Sequence, residues 1–256
     1  MWFLDRLASM DSSLQEFVNK KLENKTQEIN IDDYNKDEFT QWMKLEGENL
    51  RIKGTGSLRS ISIDGRRIAK KLLGVSLIDC PNLEKIRFTN HEISSVEIKG
   101  CPRLRDVNLY NNRLEDLDKL LGMLDPEMIT SIWLVDNKFV SDLKPFMKFT
   151  RLVDLGISGN QFHGSLEPLN KLRALKSLMF EETDIDSGLE FLDMGLGDVT
   201  CGVVEKEEHG VVSIQRELNK YGTFNDEMLN KIEGRELFKQ ARNLVLRQDE
   251  HVKVLI

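Results

Sequence analysis

Six segments of the sequence carry apolar residues at the same four offsets, and few folds can accommodate that. Count from Leu58, Leu83, Leu104, Ile129, Leu152 and Leu175 as offset 1. Offsets 4 and 6 then hold Ile61 and Ile63, Ile86 and Phe88, Val107 and Leu109, Ile132 and Leu134, Leu155 and Ile157, and Leu178 and Phe180. Offset 11 holds Ile68, Ile93, Leu114, Phe139, Phe162 and Ile185. None of these twenty-four positions is polar, in a chain that is only 40% hydrophobic. The starts lie 25, 21, 25, 23 and 23 residues apart. Residues two apart share one face of a strand, so offsets 4 and 6 define a short strand with one apolar side. The fifth copy also has Asn160 at offset 9, where an amide can hydrogen-bond the backbone of the turn that follows. One such unit buries too little to stand alone, so the copies must stack.

The spacing resembles the leucine-rich-repeat pattern, L-x-x-L-x-L-x-x-N-x-L, over about 58–192. The resemblance implies an α/β fold: a solenoid with a curved parallel sheet on its concave face, and a protein-binding role. Offset 9 is Asn only at Asn112, Asn137 and Asn160, and is Arg66, His91 and Thr183 elsewhere. The asparagine ladder is therefore expected to be strongest in the middle. Leu143, Phe146 and Phe149, and again Leu166, Leu169 and Leu172, step by three, which predicts short 3₁₀ or irregular returns on the convex side. The run Phe162 to Leu169, with Gly164 and Pro168, is similar to the Gly-x-Ile-Pro step of plant-type repeats. With Asp186-Ser187-Gly188-Leu189-Glu190 after it, it resembles short intracellular fungal leucine-rich-repeat proteins.

Both ends read as helical. Phe3, Leu7, Met10, Leu14 and Phe17 mark an amphipathic helix, which can cap the first coil, dock a partner or lie on a membrane surface. Residues 24–38 are polar and read as a linker, so 1–38 is helix plus linker. Residues 39–57 read as a degenerate first repeat, and 39–205 as the solenoid. Leu196, Val199 and Cys201 match offsets 1, 4 and 6 of an imperfect seventh strand. Residues 206–256 read as a helical segment, with Ile214, Leu218 and Tyr221, then a longer helix over 226–247. It caps the last coil, binds a partner, or is a disordered tail, and dimerisation through the terminal helices belongs to the second reading.

Charge excludes some classes. The net charge is −7 and the pI about 5.3, a poor match for a nucleic-acid backbone or an anionic membrane. No apolar run reaches 18 residues, so no membrane span is expected. The first residues lack the basic start of a secretory signal. Cys80, Cys101 and Cys201 are widely spaced. Buried reduced thiols and a cytoplasmic location are the expectation, with a disulfide or metal site as the minor alternatives. His91, His163, His209 and His251 are scattered, and no nucleophile, phosphate-loop or metalloprotease motif occurs. No cofactor, no metal and no enzymatic activity are expected.

Function is expected on the sheet. Offsets 3, 5 and 7 alternate with the buried pair and should face outward. They put Tyr110, Trp133, Val135 and Met179 in an apolar centre. Lys85 and Arg87 make a positive flank, Asp154 and Glu181 a negative one, and Asn108 stands at offset 5 between Arg87 and Trp133. Trp133 has two readings: an anchor for a protein partner, since Trp dominates binding hot spots, or a ring that lies over Gly156 and shields its own sheet. The chain then reads as an adaptor or regulatory subunit that binds a protein on the concave face. The alternative is an assembly protein acting through its terminal helices.

Overall fold

The computed structural model describes residues 14–31, 48–188, 191 and 198–200. It divides after Leu114 into two compact units. The described part of the first begins with α1 (Leu14–Glu23). Strands β1 (Glu28–Ile31), β2 (Asn49–Lys53), β3 (Ser60–Asp64), β4 (Gly74–Ile78), β5 (Lys85–Thr89), β6 (Ser95–Lys99) and β7 (Asp106–Asn108) follow. Within it β1, β3, β5 and β7 pair in parallel as the main sheet. β2, β4 and β6 pair in parallel as a second sheet. The main-sheet register joins like offsets: Ser60 faces Lys85, which faces Asp106. Each coil is thus one strand spacing from the next, about 4.8 Å.

The second unit contains α2 (Leu117–Gly122), β8 (Ser131–Trp133), β9 (Val140–Ser141), a 3₁₀ turn η1 (Lys144–Lys148) and β10 (Asp154–Gly156). Then come β11 (Gln161–Ser165), η2 (Glu167–Lys171), β12 (Ser177–Met179), β13 (Asp184–Ser187) and β14 (Asp198–Thr200). Its main sheet pairs β8, β10, β12 and β14 in parallel, and β9, β11 and β13 form its second sheet. Leu178 faces Val199, the residue at offset 4 of the seventh strand.

The apolar offsets are the core. All twenty-four residues are at most 5% exposed. In the second unit the Phe162 ring lies 6.3 Å from Phe139 and 5.9 Å from Phe146, so offset 11 packs against the return. The three-residue steps do give 3₁₀ returns at η1 and η2, and each has a proline in its first turn, where a fixed φ and a missing N–H cost nothing. The first unit departs from that expectation, since its returns are strands. Leu50 and Ile52, Val75 and Leu77, and Val96 and Ile98 alternate with period two and are buried, which suits a strand rather than a 3₁₀ turn.

Two expectations at the start of the chain are corrected. The polar stretch 24–38, read as a linker, contains β1, whose Ile29 and Ile31 are buried and face Ile61 and Ile63. Thr26 takes offset 1 of this coil, 32 residues ahead of Leu58. A polar first position and a long spacing hid it. The segment 39–57, read as a first repeat, supplies in its described part only β2, a return strand. β2 is the edge of its sheet, and α1 covers it. The Gln15 side chain accepts from the Arg51 N–H at 2.7 Å and donates to the Arg51 carbonyl at 2.8 Å. One amide side chain stands in for the missing neighbour strand. Leu14 and Val18 of α1 are buried. Residues 1–13 of the amphipathic helix, Cys201 and the helical segment 206–256 lie outside the described residues. Among those described, no helix is long and apolar enough to cross a membrane.

Candidate partner-binding face

Each main strand ends in a turn that fixes which side chains reach the face. Offset 8 is left-handed in five coils: Asn90 (φ 59°), Asn111 (53°), Asp136 (53°), Gly159 (64°) and Glu182 (53°). Asn, Asp and Gly tolerate this region and Glu does so less well. Offset 9 then points inward. Asn160 Nδ2 donates to the carbonyls of Leu134, Ile157 and Ser158, and its Oδ1 accepts from the Phe139 N–H. Asn112 repeats the pattern on Phe88, Leu109, Tyr110 and the Ile93 N–H. His91 covers the same ground with a ring. Its Nε2 reaches the Ile63 carbonyl at 3.1 Å and its Nδ1 accepts from the Leu72 N–H at 3.2 Å. Burial pushes its pKa down to about 4, so the ring is neutral and carries its proton on Nε2. At the last offset 9, Thr183 makes a single bond to the Phe180 carbonyl. At the first, Arg66 turns outward and clamps Asp64. Burial alone would raise the Asp64 pKa, but the bonds from Arg66 and Asn90 outweigh it and hold the carboxylate below its usual range.

In the second unit the outward side chains form a grid of three rows. Offset 3 gives Ser131, Asp154 and Ser177, and offset 5 gives Trp133, Gly156 and Met179. Offset 7 gives Val135, Ser158 and Glu181. The Trp133 indole lies over Gly156: a Cβ there would stand 2.4 Å and 2.8 Å from two ring carbons. Its N–H donates to Ser131 Oγ at 3.0 Å. The ring is half-buried and points outward, with Met179 across the glycine. The ring thus lies over Gly156, as the second reading of Trp133 has it, and stays partly exposed. Val135 departs from the expected apolar surface, being only 8% exposed. β8 ends at Trp133, so alternation no longer governs Val135, and its methyl lies against the glycine. Offset 7 as a whole is not an open column, since Asp64, Thr89 and Ser158 are buried as well.

Asp154 and Glu181 both have pKa values raised by burial. For Glu181 the Ser158 hydroxyl offsets part of this, while Glu182 and Asp136 add to it. In the first unit Lys85 and Arg87 are exposed and Asn108 is half-buried. Tyr110 is 36% exposed, its N–H held by Asn108 Oδ1 at 3.1 Å. The structure thus brings Trp133, Met179, Asp154 and Glu181 together in one unit, and places Lys85, Arg87, Asn108 and Tyr110 in the other. Among the described residues no group of three or more His, Cys, Asp and Glu is arranged to hold a metal ion.

Parallel strands joined offset to offset, 21 to 25 residues apart from β3 onward, with a buried Asn or His in the turns at positions 91, 112, 137 and 160, define a leucine-rich-repeat fold. No family model matches the chain, and no curated protein does. Similar solved structures include the leucine-rich-repeat ectodomain of the plant membrane receptor kinase GASSHO1/SCHENGEN3 from Arabidopsis thaliana. It is 15% identical with TM-score 0.37, and the match covers 74% of this chain and 30% of that one. The LRIM1 leucine-rich repeat domain is 14% identical with TM-score 0.46, over 75% of this chain and 73% of that one. An internalin from Listeria monocytogenes is 14% identical with TM-score 0.36, over 67% and 66%. The chain spans less than a third of the receptor ectodomain. The class rests on the coil geometry rather than on these likenesses.

Proposed function

We propose that the chain is a protein-interaction module, an adaptor or regulatory subunit, that binds a protein partner on the main-sheet face of its second unit. The supporting observation is the half-buried Trp133 ring, braced by Gly156 and Ser131, in one row with Met179. A large aromatic that is already ordered loses little entropy when a partner covers it. Asp154 and Glu181 border the apolar row and would set orientation. The assembly reading gains no support from Leu14–Glu23, whose apolar side is used within its own unit. Capture with the full chain, followed by direct titration of the purified partner, tests the proposal. Trp133→Ala should weaken binding by about 30-fold, the effect of removing a hot spot of about 2 kcal/mol. Unchanged affinity would remove the second-unit face from consideration.

A further inference from the structure

In the first unit the second sheet ends on a pair of thiols. β4 and β6 pair Ile78 with Lys99, and the ladder continues past them. The Asp79 N–H donates to the Lys99 carbonyl at 2.8 Å, and a Cβ on Gly100 would lie 3.1 Å from Asp79 Cα. The next rung is therefore Cys80 against Cys101. Neighbouring rungs stand about 4.8 Å apart, inside the Cα separation of about 4.4–6.8 Å that a disulfide requires. Both thiols bond carbonyls of this corner. Cys80 Sγ donates to the Ile78 carbonyl at 3.5 Å. Cys101 Sγ is 3.6 Å from the Lys99 carbonyl and 3.8 Å from the Leu77 carbonyl, which belongs to the strand leading to Cys80.

We propose that Cys80 and Cys101 are an exchange-competent dithiol that closes to an intrachain disulfide on reaction with a small disulfide of the glutathione type. Cys101 is the partly exposed member and Cys80 is buried, so a reagent from solvent meets Cys101 first. Proximity of the Cys80 thiol lowers the pKa of Cys101, while proximity of Cys101 and burial raise that of Cys80. This favours thiolate at the exposed sulfur, the form that reacts. The Cys101 thiolate attacks one sulfur of the oxidised reagent, its S–S bond breaks, and one reduced thiol leaves with the proton that Cys101 gave up. Cys80 then loses its proton and attacks Cys101 Sγ, and the second reagent thiol departs with that proton. Two protein thiols and one small disulfide become one protein disulfide and two small thiols. The bridge ties two consecutive coils at the corner where the chain returns to the main sheet.

The full chain carrying Cys201→Ser, treated with oxidised glutathione and digested with trypsin without reduction, tests this. The expected product joins the peptide 72–85 to the peptide 100–103 within one chain, and dithiothreitol releases it. Cys80→Ser should instead stop at a stable glutathione adduct on Cys101, and Cys101→Ser should leave Cys80 unreacted. An adduct that persists on Cys101 while Cys80 is present, a bridge between chains, or two unreacted thiols would each overturn the proposal.

Discussion

His91 occupies an offset that asparagine fills in three other coils, and it makes comparable bonds with a group that titrates. The sign of its effect follows from its depressed pKa. The unfolded chain takes up a proton near the ordinary value of 6.5, and the folded chain only near 4. Between those values the unfolded state binds more protons, so stability falls as pH drops from about 6.5 to about 4 and the loss is complete below that. The difference corresponds to about 3 kcal/mol. His91→Asn keeps an inward amide and removes the titration. Urea unfolding at pH 7 and pH 4.5 should show a smaller acid loss in the variant, by roughly 2–3 kcal/mol. An equal loss in both would mean that other groups carry the acid sensitivity. Offset 8 was open to reading in the same way. Asn90, Asn111, Asp136 and Gly159 are all residues that accept positive φ, and their recurrence marks the turn as clearly as the asparagines one place later.

At the level of the strand, the outward position of Trp133 followed from alternation with Ile132 and Leu134. The burial of Val135 did not, because alternation stops where pairing stops, and only the structure shows β8 ending at Trp133. The close fit of indole on glycine was weighed from the sequence as one of two readings, and the distances give it substance. Gly156→Ala would drive a methyl into the ring. Overpacking of this kind costs about 1–3 kcal/mol, and here relief comes from swinging the indole away from the sheet. The expected signs are a shift in Trp133 emission, read in a chain with Trp2 and Trp42 changed to Phe, and a lower urea midpoint. Emission identical to the parent would show that the ring does not rest there. The second sheet of the first unit was partly legible, since Val75-Ser76-Leu77 and Val96-Glu97-Ile98 alternate. Three residues are too few to separate a strand from a turn without their neighbours.

Across the whole chain, the repeating offsets made the architecture readable because every copy had to hide the same four side chains. The start of the first unit was not readable, because β1 opens a coil whose first offset is Thr26 and whose two isoleucines stand alone in a polar run. A chain cut at residue 39 would lose α1 and β1, uncover Ile61 and Ile63, and leave β3 as an open edge. Burying Ile29 and Ile31 contributes about 3–6 kcal/mol as an upper figure. Residues 39–256 should unfold at lower urea than the full chain and self-associate in sedimentation velocity runs. A monomer of undiminished stability would count against β1 as a structural strand.

The spacing between copies varies while offsets 1 to 11 never slip, so the slack must be taken up elsewhere. It goes into the returns, which are strands at β4 and β6, an α-helix at α2 and 3₁₀ turns at η1 and η2. Insertions and deletions therefore have one tolerated address in every coil. A chain built this way can diversify its return side by length, while its main-sheet side can change only by exchanging one residue for another.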